Sequence, residues 1–435
     1  MANSLRLAFL VLFQSSLALS LAHRYPTKCS FDKLVALEPT KRVESEGGFT
    51  EYWDSKNDQF QCVGVSALRY SIKPKGLLLP HYINAPRLQY VLQGTFHHCM
   101  HAGTGILETV VPGCPETFRE QTRHGDQHQK IHATREGDVI VVPTGSAQWI
   151  YNSGETDMVI FSVIDSANED NQLDLKVRKF FLGGKPQEEK GEEGNMFSGL
   201  ELKTVAESLD IDMGIAGKVQ GVDDPRGSMI IVEDELETLS PAVEESGNGN
   251  GLDETVCTLR LVHQLAESTD ADKYNPRAGF LTALNTPNLP VLQYVQLGVD
   301  RGVLYKNAVM APHYNLNCHA VIYGTEGRGW IEVVGENGRK VYEGEVREGQ
   351  ILIVPQQFVV AKKAAEGSDE GFGWIAVKTS DNPMISPLAG KLSLIRAMPL
   401  PVLMNSFRLT AEEAISLKKR GELTLFSPDP AQTQI

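Results

Sequence analysis

The chain has 435 residues, 41% of them hydrophobic and 22% charged, and its 41 basic and 55 acidic side chains leave a formal net charge of -14. At about 100–200 residues per domain this length fits two to four domains, and the composition excludes a wholly disordered chain, a coiled coil and a collagen-like fibre. A chain this acidic is repelled by phosphate backbones, so nucleic acid is not an expected partner.

The first twenty residues read as a secretory signal peptide. Arg6 supplies the positive start, Leu7 to Phe13 an apolar run, and Leu17 to Ala22 small residues that fit cleavage after Ser20 or after Ala22. The run falls short of the roughly 20 residues that span a bilayer, and no later stretch is long and apolar enough, so no membrane partner is expected. The expected compartment is the secretory lumen or beyond, where disulfides persist. Cys29, Cys62, Cys99, Cys114, Cys257 and Cys318 allow many pairings, and the sequence by itself leaves the choice open. No C-x-x-C pair is present, which argues against a thioredoxin-like or zinc-ribbon site.

Further along, the chain repeats itself. Pro80-His81-Tyr82 recurs as Pro312-His313-Tyr314, and the stretch from Arg135 to Pro143 (REGDVIVVP) recurs from Arg347 to Pro355 (REGQILIVP). From His81 to Gly137 is 56 residues and from His313 to Gly349 is 36, so the first copy carries the longer loop, between Met100 and Lys130. Short runs of Val, Ile, Leu and Tyr bounded by Gly, Pro and Asn predict strands, and many such strands predict a sandwich or barrel in each copy. After each copy a helix is expected. Thr204-x-x-Glu207 and Thr410-x-x-Glu413 match the capping box. Val205, Leu209 and Ile211 in one, and Ala414, Ile415 and Leu417 in the other, are the expected buried faces. Residues 236–250 are polar and rich in Gly and Glu, which reads as a linker. The expected organisation is therefore 1–20 signal peptide, 21–235 first domain, 236–250 linker and 251–435 second domain.

Four stretches add a family resemblance. They are VPGCPETF from Val111 to Phe118, NGLDETVC from Asn250 to Cys257, ISPLAG from Ile385 to Gly390 and TLFSP from Thr424 to Pro428. In this order they resemble the landmarks of the 11S seed globulins, the legumin-type bicupins, over nearly the whole mature chain. The resemblance implies a mainly β fold of two cupin (jelly-roll) β-barrels, each followed by a short helical extension. It implies cleavage between Asn250 and Gly251 by an asparaginyl endopeptidase, with the acidic chain before the cut and the basic chain after it. It implies an inter-chain disulfide Cys114–Cys257 and an intra-chain disulfide Cys29–Cys62. It further implies self-association as a trimer and then a hexamer, a protein storage vacuole as destination, and a nutrient reservoir without catalysis or cofactor. An Asn-Gly bond in a polar loop suits a protease.

Many cupins gather two His, a Glu and a third His around one metal ion. The four positions read here are His81, Ile83, Arg87 and Gln148 in the first copy, and His313, Asn315, Ala320 and Val360 in the second. One imidazole per copy does not make the three protein ligands that a catalytic metal usually needs, and Arg87 sets a cation in its place. No metal site is therefore expected, although His319 lies near the second position. His97, His98, Cys99 and His101, followed by His124, His128 and His132, read either as a weak copper or zinc site or as a strand and a solvated loop. Two other functions compete with storage. One is a metal-dependent cupin enzyme, disfavoured by the replaced ligands. The other is a ligand-binding or defence bicupin in which Tyr90, Trp149 and Tyr151 line an apolar cavity. The 20 Gln and 18 Asn are an ordinary share of the chain, without the nitrogen-rich inserts frequent in storage globulins.

Overall fold

The computed structural model describes residues 29, 31–94, 105–119, 127–189, 192–221, 223–233, 236, 256–265, 271–367, 370–419 and 425–428. The signal segment, the cluster from His97 to His101 with Cys99, His124, and the Asn250–Gly251 bond lie outside them.

The first copy is two antiparallel sheets face to face. One runs β1 (Lys41–Ser45), β2 (Gly48–Tyr52), β3 (Ser66–Ile72), β10 (Met158–Ile164), β5 (Arg87–Gln93), β8 (Asp138–Val142) and β13 (Val262–Gln264). The other runs β11 (Lys179–Phe181), β4 (Gly76–Ile83), β9 (Ala147–Tyr151), β6 (Gly105–Val110) and β7 (Ile131–Thr134), with β12 (Met229–Ile231) on β4. Their facing side chains make one core that includes Leu68, Tyr70, Val91, Leu107, Ile140, Ile150 and Ile160.

The second copy forms a single curled sheet in the order β14 (Lys273–Asn275), β15 (Gly279–Leu284), β16 (Gly298–Leu304), β22 (Phe372–Lys378), β18 (Ala320–Val334), β21 (Val359–Ala364), β17 (Val309–Asn315) and β23 (Ile385–Pro387). β19 (Lys340–Arg347) and β20 (Ile351–Val354) pair with β18, and β24 (Phe426–Ser427) pairs with β17.

The recurring R-E-G motif is a turn. Gly137 and Gly349 take φ of 87° and 80°, the left-handed region open to glycine. The carboxylate of Asp138 accepts from the Arg135 N–H at 2.9 Å, and the Gln350 amide oxygen accepts from the Arg347 N–H at 3.0 Å. The apolar strand after each turn is buried on both faces, which is why it reads as an unbroken hydrophobic run. Along β8, Ile140 and Val142 point into the barrel while Val139 and Val141 join a second core. That core also takes Leu88, Tyr90, Phe161 and Val163 from the first copy and Val321, Tyr323, Ile353 and Val377 from the second. It fastens the two barrels together.

The copies also exchange strands. Leu37 pairs with Ile351, and the Leu34 N–H donates to the Val341 carbonyl at 2.7 Å, so the chain's beginning is laid on the second barrel. In return β13, which follows Cys257, hydrogen-bonds to β8 of the first.

Helices follow each barrel: α1 (Leu202–Leu209) and α2 (Met213–Val219), then α3 (Leu394–Ala397), α4 (Leu400–Phe407) and α5 (Ala411–Lys419). The second capping box forms as expected. The Thr410 N–H donates to Glu413 at 2.8 Å, and the Glu413 N–H donates to the Thr410 hydroxyl at 3.2 Å. The first does not. α1 begins three residues earlier, with Glu201 in extended backbone at its N-cap, so Thr204 is already helical and its hydroxyl cannot cap the helix that contains it. The buried faces are also narrower than expected. Val205 and Ala414 are buried, whereas Leu209, Ile415 and Leu417 are exposed, because only one edge of each helix meets the body of the protein.

Candidate functional site

The eight positions read as cupin ligands converge in the two barrel interiors. In the first, Gln148 on β9 lies opposite His81 on β4. Arg87, at the start of β5, donates from Nη2 to the Gln148 Oε1 at 3.0 Å, and Gln148 Nε2 donates onward to the Gln89 Oε1 at 2.9 Å. Ile83 belongs to the surrounding apolar core. In the second, His313 on β17 faces Val360 on β21, and Asn315 and Ala320 line the same small cavity. Both histidines are fully enclosed, and each Nδ1 bonds a carbonyl two residues back, Leu79 or Ala311, at 2.9 Å. One packing device is thus used twice.

Cations lie near both imidazoles. Burial, with Arg87 and Lys179 nearby, holds the His81 imidazole well below its ordinary value. Burial and Lys362 do the same for His313. Arg87 is lowered by burial to about 10 and stays a cation at neutral pH. The His319 Nδ1 is engaged elsewhere, accepting from the Gln356 N–H at 3.0 Å. Among the described residues no group of three or more His, Cys, Asp or Glu is placed to hold a metal ion.

Sequence reasoning missed the charges of the second barrel. Lys378 Nζ is 3.2 Å from Asp300 and donates to the Asn315 Oδ1 at 2.8 Å, all inside the barrel. Lys362 lies 3.6 Å from the Met310 sulfur and 5.0 Å from the Trp374 ring centre. Burial, with Lys378 beside it, lowers Lys362 to about 7. The available signal was alternation: Lys362 shares the inward face of β21 with Val360 and Ala364, and Lys378 closes a strand buried from end to end.

Tyr90, Trp149 and Tyr151 are packing side chains and do not line a barrel interior. Tyr90 faces the core between the barrels, because it alternates with the inward residues Gln89 and Val91. Trp149 and Tyr151 point away from the interior and pack with Ile106 and Ile131, the Trp149 indole donating to Glu108 at 2.8 Å. His128 and His132 sit on different short strands, so they do not line a helix face. Cys29 is bonded to Cys62 and Cys114 to Cys257. Cys318 is buried just before β18.

Buried imidazoles set an acid limit on stability. Burial, then Lys130, lowers His132 to about 4. An unfolded chain takes up that proton near its ordinary value and the folded chain does not until about pH 4. Stability therefore falls as pH drops through this window, by about 3 kcal/mol for His132. The His132→Leu variant is expected to lose that share of the pH dependence, read as the change in urea midpoint between pH 7 and pH 4. An unaltered pH profile would refute the assignment.

Two barrels of this topology, with Arg, Gln, Asn and apolar side chains at positions read as cupin ligands, define a bicupin scaffold. The Cupin family profile matches residues 34–188 and 263–415. The chain is 42% identical to the 11S globulin subunit beta of Cucurbita maxima, over 94% of this chain and 91% of that one. It is 41% identical to the 11S globulin seed storage protein Ana o 2.0101 of Anacardium occidentale, over 97% of each. The crystal structure of pumpkin seed globulin superimposes with a TM-score of 0.85 at 43% identity, covering 93% of this chain and all of that one. The chain belongs to the 11S, legumin-type seed storage globulins.

Proposed function

We propose that this storage globulin is a nutrient reservoir made as a precursor. Residues 1–20 direct it into the secretory pathway, and its destination is the protein storage vacuole. An asparaginyl endopeptidase cuts between Asn250 and Gly251, separating an acidic domain of 21–235, with its linker 236–250, from the basic domain 251–435. The observation that carries this reading is the Cys114–Cys257 disulfide, with a Cα–Cα distance of 5.4 Å, which spans the proposed cut. β13 stays paired with the first barrel beyond that bond, so cleavage leaves the core between the barrels undisturbed.

The same reading includes self-association as a trimer that becomes a hexamer after cleavage. Support comes from two apolar edges left open on the helical extensions. Leu200, Leu209, Met213 and Ile215 are exposed after the first barrel, and Leu392, Val402, Phe407 and Ile415 after the second. Two different patches meeting head to tail generate a closed ring when the rotation closes.

On non-reducing gels the cleaved protein is expected to run as one linked species that reduction splits into two. Cys114→Ser is expected to give two chains without reduction. Sedimentation is expected to show a trimer before cleavage and a hexamer after it. Monomers in both states, or two unlinked chains from the natural sequence, would overturn the proposal.

A further inference from the structure

We propose that the interior of the first barrel binds a small monovalent anion of halide size, held on Arg87. The Arg87 side chain is 1% exposed, and its bond to Gln148 is to a neutral oxygen. Its Nε is buried without a partner, and among the described residues no carboxylate reaches it. A buried cation lacking a counter-charge is costly, and it is kept where something of opposite charge completes it.

Other polar groups of the same interior are also unpaired. Gln148 gives its own N–H to the Gln89 Oε1, so the Gln89 amide is left to donate from Nε2, and that atom too is buried with no acceptor. The hydroxyls of Tyr70 and Ser162 are equally enclosed and unmatched. Ser162 stands directly opposite Gln89 across the β5–β10 pair, and Arg87 lies on the same inward face of β5 as Gln89. The guanidinium Nε–H and the Gln89 amide N–H are thus donors without an acceptor, and the two hydroxyls can donate or accept; the His81 Nε2, its Nδ1 engaged by the Leu79 carbonyl, is also buried and unpaired but is neutral and brings no counter-charge. A metal cation is repelled by Arg87. Water would satisfy the donors and leave the charge. A monovalent anion does both.

The second barrel shows the alternative solution. Its inward Lys378 is met by the chain's own carboxylate, Asp300, at 3.2 Å. In the first barrel the residue of β10 opposite Arg87 is Ile164, which brings no charge. One repeat therefore carries its counter-ion covalently, and the other takes it from solution.

The test uses the full-length protein, exchanged into methanesulfonate buffer and titrated with chloride or bromide at fixed ionic strength. Thermal unfolding is expected to shift upward by several degrees, saturably, because a ligand bound only to the native state stabilises it. In Arg87→Met the shift is expected to vanish. A second measurement needs no variant: crystals grown in bromide are expected to show an anomalous peak beside the Arg87 Nε and Gln89 amide. A bromide map with no peak inside the first barrel would overturn the proposal. So would an equal halide shift in Arg87→Met.

Discussion

Replacing Asp300 with Asn is expected to destabilise the second barrel by about 3–5 kcal/mol, the cost of removing one partner of a buried ion pair. Asp300 and Lys378 are both nearly enclosed, their side chains 10% and 5% exposed. Asp300 also raises the pKa of Lys362, offsetting in part the lowering by burial and by Lys378. Without that carboxylate, two lysines share an interior whose cavity, about 10 Å³, is room for about one water. The amide of Asn keeps the shape and removes the charge, so the loss reports electrostatics rather than packing. The double variant Asp300→Leu with Lys378→Met is expected to recover most of the stability, since apolar replacement of a whole buried pair is often neutral or better. Urea unfolding of the single and double variants decides it. A loss below about 1 kcal/mol for Asp300→Asn would mean that water reaches the pair and screens it.

The repeat, the strand-rich architecture and the emptied ligand positions were legible because each has a local cause. A turn needs glycine at φ near 80°, a doubly buried strand needs an unbroken apolar run, and a ligand needs a particular side chain at one position. What stayed hidden depends on the partner of each strand. Nothing within residues 262–264 says that they pair with β8 of the other copy. Nor does the sequence around Lys362 and Lys378 name Asp300, 62 and 78 residues earlier, as their counter-charge. The first capping box failed for a related reason. The pattern at Thr204 was present, but helix entry was fixed upstream, where Glu201 is extended and its carbonyl already accepts from Val205. The exposed Leu209 and Ile415 show the same limit: an apolar edge marks a face to be covered, and the chain's own fold does not cover all of it.

The core between the barrels carries the second large effect. Phe161→Ala is expected to cost about 3–5 kcal/mol, the range for emptying a fully buried aromatic site. Phe161 is 1% exposed, stacks on Tyr323 of the second copy with ring centres 4.3 Å apart, and meets the edge of Trp53 at 5.9 Å. The Tyr323 hydroxyl accepts from Arg69 of the first copy at 2.9 Å, so this ring is held from both sides and will not readily collapse into a cavity. A double-mutant cycle between Phe161 and Tyr323 is expected to give a coupling of about 1 kcal/mol, the usual worth of an aromatic pair beyond its buried area. The effect reaches function through the proposed cut. Once the linker is cleaved and Cys114–Cys257 reduced, this core and the exchanged strands are what keep the two chains together. The natural protein in that state is expected to remain associated in dilute urea, and Phe161→Ala to separate at a lower urea concentration. If both dissociate at the same concentration, the exchanged strands rather than the aromatic core hold the halves.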